Sequence, residues 1–371
     1  MNMVIYMKLL VTGNGFDLAH GLPTTYKDML TALFSPNKFR ENHPHFSLDW
    51  LTDDIKQKYA NVELLNYFKS QNNLNGWTGF ENDLQMIIKY FSSEPPHPKL
   101  GNSTPCGDLN SYKYKELKSI IDVHSWQKKD QNYSKIMWKK LSDQLNLVCK
   151  FIDLYIQNLH TDFNHVPEKN SLTPIYTQEY NCYLTFNYSN TFQNCFNDAV
   201  NYFSPSSSSI PKHPSQQSTN SIQRVQFIHG KSGTQEIQTD GSETLSPLVL
   251  GIHNDLTQID STDNQIYQLR FEKSFQRIQK QTGREFRQWF SPQFVTSGTE
   301  ISTTIYGHSL DVADHDVIKF IIEKSSDTTI YYLDQHDYEQ KIVNLIKLYN
   351  SVTEVEDRFY SGKITFTPIP T

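Results

Sequence analysis

At 371 residues, with 37% hydrophobic and 13% aromatic residues, the chain has enough apolar mass for one sizeable core or two modest domains, and too many large rings for a disordered protein. Its 34 Lys and Arg against 40 Asp and Glu leave a formal net charge of -6, so no global basic field carries phosphate-backbone binding, and nucleic acid is not the expected main partner. The longest apolar runs, Tyr6–Thr12 and Pro247–Ile252, fall far short of the ~20 residues of a membrane helix, and the N-terminus lacks the pattern of a secretory signal. A cytoplasmic protein without a membrane partner is expected.

The cysteines, Cys106, Cys149, Cys182 and Cys195, show no C-x-x-C spacing, so free buried thiols are expected, with no structural zinc and no disulfide framework. Taken in chain order, Val4–Thr12 is β-branched and aliphatic and runs into Gly13-Asn14-Gly15-Phe16-Asp17, which predicts a strand, a glycine turn and a helix start. From about Pro36 to His160 the pattern is helical, broken at 72–79 and 95–108. The stripe Met137, Leu141, Leu145, Val148, Ile152, Tyr155, Leu159 marks its clearest helix. Short apolar runs then follow at Tyr183–Phe186, Val225–Ile228, Leu248–Leu250, Thr303–Tyr306 and Thr329–Leu333, as in strands covered on both faces. Helices are predicted over about 311–324 and 337–350. The Ser/Pro/Gln-rich stretch 203–221 reads as a flexible surface loop.

The pattern predicts an α/β fold: a Rossmann-like, doubly wound, mostly parallel sheet with a large helical insertion after the first βα unit. The core is assigned to 1–34 and 176–350, the helical subdomain to 35–175, and a C-terminal tail to 351–371. Ligands of open α/β sheets bind outside the carboxyl ends of the strands. The polar residues there are Gly13–Asp17, Asn187-Tyr188-Ser189, His229-Gly230, Gly251-Ile252-His253 and Gly307-His308-Ser309. The first loop sets glycine N–H groups beside a helix start, a place suited to phosphate. Gly13 and Gly15 match the first two positions of the dinucleotide fingerprint, but the third glycine comes late, at Gly21, and the acidic residue expected on a second strand is absent. On the glycines alone, a plain strand-to-helix turn competes with nucleotide binding. Each remaining candidate has a structural alternative: a turn for Asn187, a core role for His229, a helix cap for Asp17, a dipole-favoured charge for Asp314, and a solvated carboxylate beside Trp77 for Glu81.

Gly13-Asn-Gly-Phe-Asp-Leu-Ala-His-Gly-Leu-Pro-Thr24 followed by Tyr26 resembles the opening signature of the bacteriophage abortive infection AbiH family. Trp77–Glu81 resembles its W-x-x-x-E element, Thr185–Ser189 its T-F-N-Y-T, Phe227–Gly230 its I-H-G, and Gly307–Leu310 with Asp314 its G-H-S-L-x-x-x-D. The family is in turn distantly similar to the sirtuin-like NAD-binding superfamily, which contains antiphage enzymes that hydrolyse NAD. Thr185, Asn187, His229, Gly230, Gly307, Ser309 and Leu310 match positions of that pattern. Two stretches depart from it: Ser189 stands where the pattern has Asp, and the glycine loop has Asn14 and Asp17 where the pattern usually has small residues and Ser. The zinc-binding cysteine pairs of protein-deacylating sirtuins are absent.

The resemblance implies an abortive-infection effector that binds NAD, or a related nucleotide, as substrate or ligand and hydrolyses it as an NAD glycohydrolase. His229, Asn187 and Asp17 are the implied catalytic set. Gly13, Asn14, Gly15, Phe16, Thr185, Gly230, Gly307, His308, Ser309, Asp314 and Glu81 are the implied binding set, with the pyrophosphate on the Gly13–Gly15 amides and no metal. A phage-derived trigger and a homo-oligomer are the other partners considered. The alternatives are a nucleotide sensor without catalysis and a nuclease effector using Asp311, Asp314 and Asp316.

Overall fold

The computed structural model describes residues 5–70, 76–92, 131–161, 170–195, 224–238, 244–253, 267–292 and 299–370. The expected loop 203–221, Cys106 and the Trp77 side chain lie outside the described residues. The chain divides into two compact units, the first built from Met1–Thr24, Phe163–Ser232 and Gln281–Thr371, the second from Thr25–Asp162 and Gly233–Lys280.

The first unit carries a six-stranded parallel sheet: β1 Ile5–Thr12, β2 Cys182–Thr185, β3 Arg224–Phe227, β4 Thr299–Tyr306, β5 Asp327–Tyr332 and β6 Ile364–Pro368, in the order β3-β2-β1-β4-β5-β6. This is the doubly wound Rossmann-like order, with its switch point between β1 and β4. Strand β1 is apolar apart from exposed Lys8 and Thr12 at its end, because both its faces are covered. Leu9 and Val11 pack with Ile301, Ile305, Ile318 and Ile321 on one side, while Leu10 packs with Tyr183, Tyr306 and Tyr176 on the other. The helices of the unit are α1 Asn14–Ala19, α8 Thr173–Tyr176, α10 His315–Lys324, α11 Gln335–Tyr349 and α12 Val352–Tyr360. Registers pair Thr12 with both Thr185 and Tyr306, and Thr185 with Phe227, so four strands end at one level and their following loops share one edge.

The second unit holds α2 Tyr26–Phe34, α3 Pro36–Asn42, α4 Asp53–Ala60, α5 Glu63–Ser70, α6 Gly76–Ser92, α7 Gln131–Thr161, α9 Lys273–Lys280, and a two-stranded antiparallel ribbon of Ile237–Gln238 with Thr244–Leu245. A capping box of Thr25 and Asp28 starts α2. Rings of Tyr26, Phe68 and Phe80 pack within 4.2–5.6 Å of one another. The apolar stripe expected from Met137 to Leu159 is buried along α7.

Two features differ from the sequence reading. Leu248–Leu250 is not a strand of the sheet and lies in the second unit. Its backbone groups are satisfied by a side chain, because the Gln276 carboxamide accepts from the Leu250 N–H at 3.1 Å and donates to the Leu250 carbonyl at 2.7 Å. A short buried apolar run looks the same by periodicity whether a strand or a side chain satisfies it. With that run leaves the loop Gly251-Ile252-His253, which is not at a strand end of the sheet. The expected tail instead forms α12 and the edge strand β6, whose Ile364 lies in the core.

Candidate functional site

The polar residues of the first unit gather outside the carboxyl ends of β1, β2, β3 and β4. Gly13 and Gly15 are required there by close packing. A Cβ on Gly13 would lie 2.7 Å from the Gly307 carbonyl oxygen, and one on Gly15 would lie 2.7 Å from Gly307 Cα. Gly307 itself has φ +67°. The Gly13 N–H donates to the Tyr306 carbonyl at 3.1 Å, the Gly15 N–H to the Gly307 carbonyl at 2.8 Å, and the Phe16 N–H to the Gly13 carbonyl at 2.9 Å. The amides expected to cradle a phosphate are therefore largely committed to backbone partners, which corrects that expectation. Phe16 also departs from the ligand surface: its ring is buried among His20, Tyr176, Phe192 and Tyr306. Asn14 stays at the rim and accepts from the Thr24 hydroxyl at 2.8 Å.

The segment after β2 connects the rest. The Thr185 hydroxyl receives the Thr12 hydroxyl and the Asn187 N–H, both at 3.0 Å, which bends the chain at the strand end. Phe186 lies against both histidines of the site, with ring centroids 5.4 Å from His229 and 4.2 Å from His308. Asn187 donates from Nδ2 to the Gly13 carbonyl at 3.0 Å, so it ties the β2 loop to the glycine loop. Ser189 donates to Asp17 Oδ2 at 2.6 Å, and Thr191 supports Ser189 at 3.0 Å.

Asp17 is 2% exposed and does not cap α1, whose N-cap is Gly13. Its Oδ1 is buried without a hydrogen-bond partner among the described residues. Burial pushes its carboxyl up to about 6, against the opposing pull of Ser189, Thr191 and Asn187. Such a group holds or releases its proton near the working pH of a cell.

The second cluster is His229, Asp314 and His308, all buried. His229 follows β3 and precedes Gly230, which turns the chain at φ +83°. Its Nε2 lies 2.8 Å from Asp314 Oδ1, an ion-pair geometry that fits a proton on Nε2. Asp314 ends the turn Val312–Asp314 and precedes α10, but its side chain makes no cap. It serves the histidine instead. His308 accepts the Leu310 N–H on Nδ1 at 2.9 Å, so its proton sits on Nε2, 3.7 Å from Asp314 Oδ2. Leu310, buried and branched, is held at φ +59°, a left-handed conformation that a leucine adopts only under constraint from its surroundings. Ser309 is exposed beside it, and its carbonyl accepts from Asn344 at 2.9 Å.

Glu81 is not among the residues of the first unit. It lies on α6 in the second unit, where Oε1 meets buried Lys273 Nζ at 2.7 Å. Sequence reasoning did not assign partners to Asp17; the signal available was Ser189 itself, an unexpected hydroxyl where a carboxylate fits the pattern. The three acids considered for a nuclease do not converge, since Asp311 caps the Ala313 N–H at 3.2 Å while Asp314 faces His229. No helix among the described residues is long and apolar enough to cross a membrane.

A search of curated proteins finds no match to the chain. A family model, Bacteriophage abortive infection AbiH, matches residues 9–334, which run from β1 past the end of β5 and contain every residue of both clusters. By that match, and by strand-end loops that carry its motifs at one edge of the sheet, the protein belongs to the bacteriophage abortive infection AbiH family.

Proposed function

We propose that this abortive-infection protein cleaves the nicotinamide–ribose bond of NAD, or the equivalent glycosidic bond of a related nucleotide, at the carboxyl edge of β1–β4. The observation that carries the reading is a buried His229–Asp314 dyad and a second buried carboxylate, Asp17, both in loops outside the carboxyl ends of the strands of a Rossmann-like sheet. His229, oriented by Asp314, takes the proton of a water or a ribose hydroxyl. Cleavage builds positive charge on the ribose, and ionised Asp17 stabilises it. Asn187 holds the glycine loop in place, and Asn14, Gly230, Gly307 and Ser309 are the residues assigned to contact the rest of the nucleotide. Consumption of NAD then arrests the infected host.

The two departures from the sirtuin-like pattern support the same reading when taken together. Asp17 occupies a loop position where that pattern has Ser, and Ser189 a position where it has Asp; here the two are joined by a 2.6 Å hydrogen bond. Carboxylate and hydroxyl have exchanged loops, so a carboxylate is retained at that point. This favours hydrolysis over a binding-only sensor.

The test incubates purified protein with NAD, and separately with single-stranded and duplex nucleic acid, with and without phage-derived material, alongside His229→Ala and Asp17→Asn. Loss of NAD in the unaltered protein, and its retention in both variants, is the expected result. Intact NAD under every condition, together with metal-dependent cutting of nucleic acid, would replace this reading with the nuclease one.

A further inference from the structure

The second unit contains a polar cavity that the proposed chemistry does not use. It measures about 180 Å³ and lies between α7 and α9, with Cys149 and Asn146 on one wall and Gln276, Lys280 and Arg270 on the other. Its polar walls are fixed. Asn146 donates to the Thr244 carbonyl and accepts from the Ser246 N–H, each at 2.9 Å. Gln276, besides holding Leu250, donates to the Arg270 carbonyl at 3.0 Å and accepts from Lys280 Nζ at 3.1 Å. Lys280 also donates to the Leu248 carbonyl.

The lining carries two cations, Lys280 and Arg270, and one carboxylate, Asp143. Neither Lys280 nor Arg270 forms an ion pair with a carboxylate among the described residues; Arg270 lies over the Tyr267 ring at 5.1 Å. Asp143, which also borders the cavity, is turned to Lys139 at 3.5 Å on the half-exposed side of α7. Burial holds the Lys280 ammonium below its usual range, and the thiol of Cys149 beside it is pushed up. Two cations facing a polar space, neither of them ion-paired with a carboxylate among the described residues, are an unfavourable arrangement that an entering anion relieves.

We propose that this cavity is a binding site for a small oxyanion, a phosphate or a short carboxylate, held between Lys280 and Arg270. The volume sets the class: about 150 Å³ admits a ligand the size of benzene, while drug-sized ligands occupy roughly 300–1,000 Å³, so an anion of a few heavy atoms fits and a dinucleotide does not. The site is independent of the nucleotide chemistry, being built wholly from the second unit.

Thermal melts of the full chain test it, in sodium phosphate and in sodium acetate against sodium chloride at matched ionic strength and pH 7. The unaltered protein is expected to melt about 2 °C or more higher in phosphate or acetate at concentrations well above Kd. Lys280→Met and Arg270→Gln should each lose that rise, and Lys280→Met should melt above the parent in chloride, since an uncompensated buried charge is gone. No rise in either anion, or an equal rise in parent and variants, overturns the proposal. If Lys280→Met fails to fold, Arg270→Gln decides it by the same comparison.

Discussion

Asp17→Asn is the substitution whose outcome the structure fixes most closely. The carboxyl is raised from 3.8 to about 6 by burial, so the folded protein holds its proton more tightly than the unfolded chain does. The consequence for stability has a definite sign. Below about pH 4 both states are protonated and the shift costs nothing; between about pH 4 and 6 the unfolded chain releases the proton first, and stability falls as pH rises; above about 6 the full cost is present. A shift of about two units is worth about 3 kcal/mol at 1.36 kcal/mol per unit. Asparagine accepts the Ser189 hydroxyl as the carboxylate does, but it sets an amide N–H where Oδ1 had no partner, which costs about 1–3 kcal/mol. The two terms oppose each other at pH 7, so the absolute stability of the variant is a poor readout. The difference in pH slope is a sound one, because the amide cost does not depend on pH. Urea denaturation of parent and variant at intervals from pH 4 to 8 should show the parent losing about 3 kcal/mol relative to Asp17→Asn across pH 4–6, and parallel curves above. Parallel curves over the whole range would mean that Asp17 does not carry the buried charge, and the role given to it would fall.

The other consequences are more local. Asp314→Asn should lower NAD turnover about 100-fold and change its pH profile, read by single-turnover rates across pH, because an amide no longer fixes the His229 tautomer. Gly307→Ala should cost about 3 kcal/mol or more in denaturant unfolding, since its Cβ would lie 2.3 Å from the Phe16 nitrogen at φ +67°. Gly21→Ala, at φ +82° with no atom within 4 Å of the added carbon, should cost only about 1–2 kcal/mol, from backbone conformation alone. Glu81→Gln should destabilise the protein by about 3–5 kcal/mol in the same assay, because it removes the charge that faces buried Lys273 at 2.7 Å.

How much of this was legible in the residues depends on the kind of information each feature carries. The strands β1–β5 follow from apolar runs that end in polar or glycine residues, and the strand-end rule then located Asn187, His229 and His308 together, while Asp314 was joined to them only through the family resemblance. The side on which each side chain emerges was not legible. Phe16 and Asn14 are neighbours in one loop, yet one fills the core and the other stays at the rim, as a helix start alternates its faces. Gly13 and Gly15 were read as an opening for a ligand because a missing Cβ leaves room. That room is taken by the Gly307 backbone, a partner almost three hundred residues away, and no local pattern announces it. Leu248–Leu250 failed for a related reason: its hydrogen-bond partner is the side chain of Gln276, and periodicity carries no trace of side-chain partners.

The engagement of those amides changes how a dinucleotide would lie. With the Gly13 and Gly15 N–H groups donated to β4, the glycine loop offers little positive potential, and a buried ionised Asp17 beside it repels a pyrophosphate. The same carboxylate favours the cationic nicotinamide end and, more strongly, the oxocarbenium-like ribose formed as the bond breaks. Under the proposed function the scissile bond would be oriented toward Asp17 and the phosphates away from it, the reverse of the fingerprint orientation. On this account kcat/KM for NAD falls as pH drops through about 6, where Asp17 takes up its proton. Asp17→Asn removes that limb and lowers kcat/KM at pH 8 by about 100-fold or more, the scale of losing one preorganised electrostatic group. A parent and a variant with the same acid limb would assign the titration to a group other than Asp17 and leave Asp17 without an electrostatic part in the chemistry.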